Sequence, residues 1–122
     1  MAAAKDIMTP AAKVITASGK DKVKDVIAKL VSNHISGMPV VDADGCVVGM
    51  ITEADVLAAT AAMTVDSVIG KKKAITVGAK ASAKEVTELL LKKKIKRVAV
   101  VDEAGKLLGI LSRADLLRAK TK

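Results

Sequence analysis

The stretch GMITEADVL at residues 49–57 appears a second time as GILSRADLL at residues 109–117. Each copy begins with Gly, continues as an apolar run typical of a β-strand, and then places Thr or Ser three residues before Asp. A hydroxyl followed at this spacing by a carboxylate is typical of a helix N-terminus. The stretch therefore predicts, in two places, a strand that turns directly into a helix.

The repetition extends over nearly the whole chain. A shift of 60 aligns residues 6–62 with residues 66–122 without a gap, so that Asp6 aligns with Asp66. In the same register KVIT (13–16) aligns with KAIT (73–76), and ISGMPVVDADG (35–45) aligns with IKRVAVVDEAG (95–105). The sequence thus predicts two repeats, residues 1–62 and 63–122.

Each repeat shows the order β-α-β-β-α. A short strand at residues 14–16 or 74–76 precedes an amphipathic helix, and Ser82 with Glu85 predicts a capping box at the second of these helices. Two β-branched runs follow, joined by an Asp-x-x-Gly hairpin, and a last helix closes the unit. Because about 60 residues bury little surface alone, we expect an α/β (α+β) fold of two repeats packed with pseudo-twofold symmetry.

The composition indicates a soluble globular chain with few reactive groups. Of the 122 residues, 51% are hydrophobic and 28% are charged. No apolar run approaches the roughly 18 residues of a membrane span, and no secretory signal is evident, which predicts a cytoplasmic protein without membrane contact. A single cysteine, Cys46, and a single histidine, His34, argue against a disulfide, a metal site and enzyme catalysis.

The charge pattern leaves more than one anionic partner open. The formal net charge is +8, and no Phe, Tyr or Trp is present. Runs of basic residues are usually solvated surface, although they also suit nucleic acid. The missing aromatic stacking platforms and the absence of a known DNA-binding module argue against nucleic acid. The basic runs are Lys71, Lys72 and Lys73; Lys92, Lys93 and Lys94; Lys96 and Arg97; and Arg118, Lys120 and Lys122.

The two hydroxyl–carboxylate pairs have two possible uses. Thr52 with Asp55, and Ser112 with Asp115, suit helix capping, which is worth about 1 kcal/mol and needs no ligand. Exposed N–H groups at a helix start also attract phosphate, and a nearby carboxylate can accept hydrogen bonds from both ribose hydroxyls. The residues alone leave both uses open.

The repeated pattern MPVVDADGCVVGMITEADVL and VAVVDEAGKLLGILSRADLL, each copy preceded by ITxxxK and an amphipathic helix, resembles a tandem pair of cystathionine β-synthase (CBS) domains, the Bateman module. The resemblance implies a regulatory, ligand-sensing module that binds adenosine-containing nucleotides such as AMP, ADP, ATP or S-adenosylmethionine. It implies no required cofactor. An unidentified effector protein or a change of assembly would carry the signal.

The same resemblance implies roles for individual residues. Asp55 and Asp115 would hold ribose hydroxyls, with Thr52 and Ser112 near the phosphates. Adenine would contact the first strand and the segment before the PVVD strand, which correspond to Val14, Ile15, Thr16, Met38 and Pro39 in one repeat and to Ala74, Ile75, Thr76, Val98 and Ala99 in the other.

The family's composite clefts further imply two unlike sites. Asp55 would face the second repeat's pocket with Lys96 and Arg97, and this cleft would prefer the more phosphorylated ligand. Asp115 would face the first repeat's pocket, and Arg113 would be its one evident cation. The first-repeat residues of that second cleft are Ser36, Gly37, Met38 and Pro39.

We also expect a homodimer, as the resemblance suggests. The terminal helices carry more apolar residues than two small helices need for an internal core, namely Val56, Leu57, Met63, Leu116 and Leu117. Two other functions remain possible from the sequence, a ligand-free oligomerisation adaptor and a nucleic-acid-binding protein that uses its basic surface.

Overall fold

The structure, a computed structural model, describes residues 2–70 and 74–121. Lys71, Lys72, Lys73 and Lys122 of the predicted basic runs lie outside these ranges. The α-helices are α1 (Ala4–Ile7), α2 (Val23–Asn33), α3 (Glu53–Leu57), α4 (Val65–Ile69), α5 (Ala83–Lys93) and α6 (Arg113–Lys120). The strands are β1 (Thr9–Pro10), β2 (Ala17–Ser18), β3 (Gly37–Val41), β4 (Val47–Thr52), β5 (Thr76–Gly78), β6 (Arg97–Val101) and β7 (Leu107–Ser112). A short 3₁₀ helix spans Ala11–Lys13.

The chain divides into two compact units. The first-repeat unit is Ile15–Ala74, and the second-repeat unit combines Met1–Val14 with Ile75–Lys122. The first holds a sheet in the order β2-β3-β4, and the second a sheet in the order β1-β7-β6-β5. In both, a parallel strand pair lies beside an antiparallel hairpin. The predicted α+β class and the order β-α-β-β-α are confirmed.

The longer helices begin and end as local chemistry requires. At the start of α5, the Ser82 amide donates to the Glu85 carboxylate (3.1 Å) and the Glu85 amide donates to the Ser82 hydroxyl (3.1 Å). This confirms the predicted capping box. Helices α2 and α5 end at His34 and Lys94, which both adopt the left-handed conformation (φ 51° and 56°). His34 is therefore a helix C-cap.

The two hairpins share one loop design. Gly45 and Gly105 have φ of 84° and 88°, a region that glycine enters without steric cost. The Asp42 carboxylate accepts hydrogen bonds from the amides of Asp44 and Cys46, both at 2.9 Å, and Asp102 repeats this arrangement in the second hairpin. The Asp-x-x-Gly loops therefore satisfy their own backbone and bring the flanking strands together, as predicted.

Each unit has its own aliphatic core. Helix residues at i, i+3 and i+7 face strand residues of alternating register, which is the pattern of an amphipathic helix on a half-buried sheet. The first-repeat core contains Val23, Val26, Leu30, Met38, Val40, Ile51, Val56 and Val65. The second-repeat core contains Ala4, Val86, Leu90, Val98, Val100, Leu111 and Leu116. Within the described residues, neither core contains an aromatic side chain.

The first strand of each repeat begins later than predicted. Residues 14–16 precede β2, which starts at Ala17, and in the second repeat only Thr76 of the predicted 74–76 segment belongs to β5. A hydrophobic run alone cannot set the register of a two- or three-residue strand, because the parallel pairing with β3 or β6 decides which residues form the ladder.

The segment in front of each repeat packs on the sheet of the other repeat's unit. The amides of Ala4 and Lys5 donate to the carbonyls of Ala81 (2.7 Å) and Ala79 (3.0 Å), and β1 pairs with β7. This explains why residues 2–14 belong to the second-repeat unit. Likewise α4 belongs to the first-repeat unit, where Val65 and Asp66 donate to the carbonyls of Asp21 (2.8 Å) and Gly19 (2.9 Å).

These hydrogen bonds also correct the gapless alignment. Ala79 and Gly19 are 60 residues apart, but their donors Lys5 and Asp66 are 61 apart. Lys5, not Asp6, is therefore the structural equivalent of Asp66. The chain from Lys5 to Gly19, which contains β1 and the 3₁₀ helix, is therefore one residue longer than the chain from Asp66 to Ala79.

The helices of the described residues are all too short or too polar to cross a bilayer.

The contact between the N-terminal segment and β7 leads to a first prediction. A Cβ added at Gly109 would overlap the carbonyl oxygen of Thr9 and the side chain of Met8, whereas a Cβ at Gly78 would meet nothing within 4 Å. We expect Gly109→Ala to lower the free energy of unfolding by about 1–3 kcal/mol, because overpacking forces the backbone apart. Gly78→Ala is the matched control and should change stability little. Urea denaturation of both variants measures the difference, and equal losses would contradict the assigned contact.

Candidate functional site

The two strand-to-helix junctions share two hydrogen bonds to an aspartate. At the end of β4, the Thr52 amide and hydroxyl both donate to Asp55 Oδ2, at 2.8 and 2.9 Å. At the end of β7, the Ser112 amide and hydroxyl donate to Asp115 Oδ2, at 2.8 and 3.0 Å. The capping interpretation is therefore correct, and at the second junction the Asp115 amide also donates to the Ser112 hydroxyl (3.4 Å). The cap is compatible with ligand binding, because each capping hydroxyl lies at a helix N-terminus, where negative charge is favoured.

The segment before each hairpin lies beside the junction of its own repeat. The Glu53 amide donates to the Ser36 carbonyl (2.9 Å), and Gly37 is paired with Thr52 across the β3–β4 ladder. The structure therefore brings Ser36 and Gly37 to the hydroxyl of Thr52.

The second junction has the same backbone arrangement with different side chains. The Arg113 amide donates to the Lys96 carbonyl (3.0 Å), and Arg97 is paired with Ser112 across the β6–β7 ladder. The Arg113 guanidinium Nε donates to the Ile95 carbonyl (3.1 Å). The backbone of Lys96, Arg97 and Arg113 thus meets at the junction of the second-repeat unit. The expectation that Arg113 would be the one cation beside Asp115 was wrong, because the guanidinium of Arg118 donates to Asp115 Oδ1.

Four residues of the predicted adenine pocket have no exposed surface. Met38 and Val98 belong to the cores of their units, and Pro39 and Ala99 come next along β3 and β6. Side chains alternate between the faces of a strand, so Pro39 and Ala99 project from the face opposite the core. Both are nevertheless fully buried in the chain as it stands.

The remaining predicted pocket residues are more accessible. Ile75 is 39% exposed, and Val14, Ile15, Thr16, Ala74 and Thr76 are half-buried. They do not all belong to one unit. Val14 lies in the second-repeat unit, whereas Ile15 and Thr16 lie in the first, and Ala74 is separated from Ile75 and Thr76 in the same way.

Lys29 is a residue that sequence reasoning missed. Its ammonium donates to the Thr16 carbonyl (2.8 Å) and lies 3.8 Å from the Asp21 carboxylate. It therefore holds the segment that precedes β2, which the resemblance places against adenine. A signal was present in the alignment, since the residue equivalent to Lys29 in the second repeat is the apolar Leu89. A lysine on the apolar stripe of an amphipathic helix predicts a specific polar partner.

The Asp115 carboxylate has a partner that Asp55 lacks. Asp115 is 7% exposed and is the one buried charged residue within residues 2–70 and 74–121. Its Oδ1 accepts a hydrogen bond from the guanidinium of Arg118, one turn further along α6. In the first repeat the equivalent residue is Ala58, and Asp55 is only half-buried. No donor among the described residues reaches Asp55 Oδ1.

The net positive charge of the chain lies in the second-repeat unit. The first-repeat unit contains seven of the 21 Lys and Arg residues and seven of the 13 Asp and Glu residues, so the formal charge of +8 is carried by the second-repeat unit. Both junctions follow this trend. Glu53 and Asp55 make the first junction acidic, whereas Lys96, Arg97 and Arg113 make the second junction basic.

The described residues also form a groove, and they form no cluster that could hold a metal ion. A groove of about 410 Å³ lies between α5 and α6 and contains none of the predicted site residues, being lined by Ala2, Ala83, Lys84, Thr87, Glu88, Leu116, Ala119 and Lys120. Across residues 2–70 and 74–121, no three His, Cys, Asp or Glu side chains are grouped closely enough to hold a metal ion.

A family model described as the CBS domain matches this chain twice, over residues 4–62 and 65–122. The matches cover both sequence repeats. Inosine-5'-monophosphate dehydrogenase of Methanocaldococcus jannaschii is 31% identical over 107 residues, which are 88% of this chain and 22% of that enzyme. This chain spans about a fifth of the length of the inosine-5'-monophosphate dehydrogenases of M. jannaschii and Korarchaeum cryptofilum that it matches.

Solved structures cover the chain almost completely. The crystal structure of CBSX2, a CBS-pair protein of Arabidopsis thaliana, in complex with AMP has a TM-score of 0.92 and 27% identity, covering 99% of this chain and 97% of that one. The CBS domain pair of protein MJ0100, in complex with 5'-methylthioadenosine and S-adenosyl-L-methionine, has a TM-score of 0.86 and 27% identity over the same shares of the two chains. These neighbours have the fold found here.

The different surroundings of the two carboxylates lead to a second prediction. Asp115 accepts three hydrogen bonds in a buried position, and Asp55 accepts two in a half-buried one. We expect Asp115→Ala to lower the free energy of unfolding by about 1–3 kcal/mol, since it removes a buried acceptor with three hydrogen bonds, one of them from a charged donor. Asp55→Ala is the matched variant and should cost about 1 kcal/mol, the usual value of a cap. Thermal and urea unfolding give the comparison, and a larger loss for Asp55→Ala would overturn it.

Proposed function

We propose, from the premise that this chain belongs to the CBS domain family and contains two of its domains, that it is a regulatory module that senses adenosine-containing nucleotides. The observation that carries the proposal is the duplicated junction, in which a strand-end hydroxyl and a carboxylate are held together at a helix start. AMP, ADP, ATP and S-adenosylmethionine are the candidate ligands. We assign the chain no catalytic role.

Each junction offers the groups that a nucleotide requires. Asp55 and Asp115 would accept hydrogen bonds from ribose hydroxyls, and charge-assisted bonds of this kind are the stronger ones in proteins. Thr52 and Ser112 would lie toward the phosphates, at the positive ends of the α3 and α6 dipoles. Adenine would be held by backbone and aliphatic groups, because this chain has no aromatic residue with which to stack it.

The chemistry of the neighbours' ligands supports this proposal. The solved structures of CBSX2 and MJ0100 contain AMP, 5'-methylthioadenosine and S-adenosyl-L-methionine, which share the adenosine group and differ in charge. Adenosine is therefore the group that we expect both junctions of this chain to recognise. The substituent on the ribose is the group by which the two junctions would differ, because their charges differ.

Calorimetry and thermal shift with AMP, ADP, ATP and S-adenosylmethionine test the proposal. A ligand at 100 times its dissociation constant stabilises the native state by about 2.7 kcal/mol, so binding should raise the melting temperature clearly. The Asp55→Ala/Asp115→Ala double variant should lose this response. Glu103→Ala, which removes an exposed carboxylate from the second hairpin loop, is the matched control and should retain it.

Pyrophosphate serves as the control ligand, because it carries the charge of a nucleotide without adenosine. An equal response to pyrophosphate would mean that the basic unit binds anions without recognising a nucleoside. No response to any nucleotide at millimolar concentration would favour the ligand-free oligomerisation adaptor.

We propose further that two copies of the chain associate through the helices. Of the five apolar residues cited for a dimer, Val56 and Leu116 are core residues and do not support it, whereas Leu57 and Leu117 are 85% and 66% exposed. Val31 on α2 and Leu91 on α5 are two further strongly exposed apolar side chains. Each unit therefore exposes apolar side chains on two helices that contact each other, α2 with α3 in one unit and α5 with α6 in the other. Because monomeric proteins rarely expose large apolar patches, a second copy is the occupant that we propose.

Light scattering over a concentration series tests the association. Leu57→Glu/Leu117→Glu should shift the protein toward the 12.6 kDa monomer, since charged residues are costly at an apolar contact. The matched control Lys92→Glu/Lys93→Glu changes exposed residues of α5 that are already charged. A monomer at all concentrations for the unsubstituted chain would refute the dimer. Transmission of the signal to an effector protein is part of the same proposal.

A further inference from the structure

The two junctions differ at one carboxylate oxygen. Asp55 Oδ2 is occupied by Thr52, and Asp55 Oδ1 accepts no hydrogen bond from the described residues. Asp115 Oδ2 is occupied by Ser112 in the same way, but Asp115 Oδ1 is held by Arg118. A ribose hydroxyl that approaches Asp115 therefore meets an oxygen that already has a donor.

Arg118 is placed so that it can leave this oxygen without unfolding the helix. Its side chain is 68% exposed, whereas that of Asp115 is 7% exposed. Side chains on a helix lean toward its N-terminus, so the guanidinium of Arg118 stays near the start of α6 when it releases Asp115. No backbone movement is required for the exchange of partners.

The residues around the second junction determine which ligand could neutralise the guanidinium of Arg118 after it leaves Asp115. Arg97 is paired with Ser112, and the Lys96 carbonyl and the Ile95 carbonyl bind Arg113, so the backbone of three further cationic residues meets at the same junction. A ligand without charge would replace one hydrogen bond of Asp115 and leave an added cation among these three. A phosphate would give the guanidinium an anionic partner in exchange for the one it lost.

We propose that Arg118 is a specificity-determining residue, which makes the Asp115 junction select adenosine ligands that carry phosphate over those that carry no charge. This inference rests on the proposed function, because it assumes that Asp115 binds ribose. The Asp55 junction, with a carboxylate oxygen to which none of the described residues donates, with Glu53 beside it and with Ala58 in place of Arg118, makes no such selection. The proposal reverses the expectation from the sequence, which gave the preference for phosphate to the cleft of Asp55. The choice of ligand by each half of the chain is thus set by the residue three positions after its aspartate.

Variants with one working junction separate the two sites. Asp55→Ala leaves the second-repeat junction, and Asp115→Ala leaves the first. ATP and adenosine are the probes, and calorimetry measures both affinities. In the Asp55→Ala protein, adding Arg118→Ala should weaken ATP and strengthen adenosine, so that the ratio of the two affinities falls by at least about tenfold. Arg118→Lys, which keeps the charge, should retain most of the preference for ATP.

The reciprocal variant uses the equivalence of the two repeats. Ala58 is exposed and stands three residues after Asp55, as Arg118 stands after Asp115. In the Asp115→Ala protein, Ala58→Arg should therefore weaken adenosine relative to ATP and give the first junction the preference of the second. A residue that only stabilises α6 would not transfer selectivity in this way. Melting temperatures without ligand identify any variant that has lost its fold.

The outcomes distinguish this inference from the proposed function. If ATP and adenosine bind with the same ratio of affinities with and without Arg118, and Ala58→Arg changes nothing, the inference is overturned while nucleotide binding stands. If the unsubstituted chain binds neither probe, the proposed function fails and the inference fails with it. If Arg118→Ala does not fold, Arg118→Lys and Ala58→Arg decide the question.

Discussion

The hydrogen bonds that an aspartate accepts from the residue three positions earlier hold together both the fold and the candidate site. At Asp55 and Asp115 the carboxylate satisfies an amide that the ending strand leaves without a ladder partner, and it binds the hydroxyl of the same residue. The sharp turn from strand to helix depends on this cap. Because the cap lies at the start of a helix, it also places an acceptor and a hydroxyl at the positive end of the helix dipole, where negative charge is favoured.

Most of the remaining structure brings further residues to these two points. The hairpin pairing sets Gly37 against Thr52 and Arg97 against Ser112, so the residues before the hairpin reach the junction that follows it. The Asp-x-x-Gly loops determine this register, since their aspartates and positive-φ glycines fix the length of the turn. A site built at a strand end is thereby supported from a loop at the opposite end of the same hairpin.

Duplication has preserved the backbone of the two units and let their charges diverge. The core residues, the loops and the caps correspond closely, whereas Glu53 corresponds to Arg113, Gly37 to Arg97, and Ala58 to Arg118. All of these differences add positive charge to the second-repeat unit. Long-range electrostatics favour anions at that unit. The contacts of Arg118 show that part of this charge is also engaged within the protein.

The sequence by itself determined the elements and their order. Hydrophobic period, cap residues and turn glycines act within a few residues, so α5 with Ser82, the two hairpins and both strand-to-helix turns followed from local pattern. Contacts between distant segments could not be obtained in this way. The place of Lys5 opposite Ala79, the late start of β2, and the burial of Pro39 and Ala99 depend on which strands pair and which faces are covered.

The residues of the candidate site also divide into those that local sequence predicted and those that tertiary structure placed there. Thr52, Asp55, Ser112 and Asp115 were evident from spacing, because a cap is a local interaction. The partners of those residues were decided by tertiary structure, which placed Arg97 at Ser112 and the ammonium of Lys29 on the Thr16 carbonyl. Arg118 stands three residues after Asp115, a spacing at which helix side chains meet, so this pair was available from the sequence. The burial of the carboxylate was decided by packing. A pattern of residues specifies which groups are available, and packing decides which of them meet.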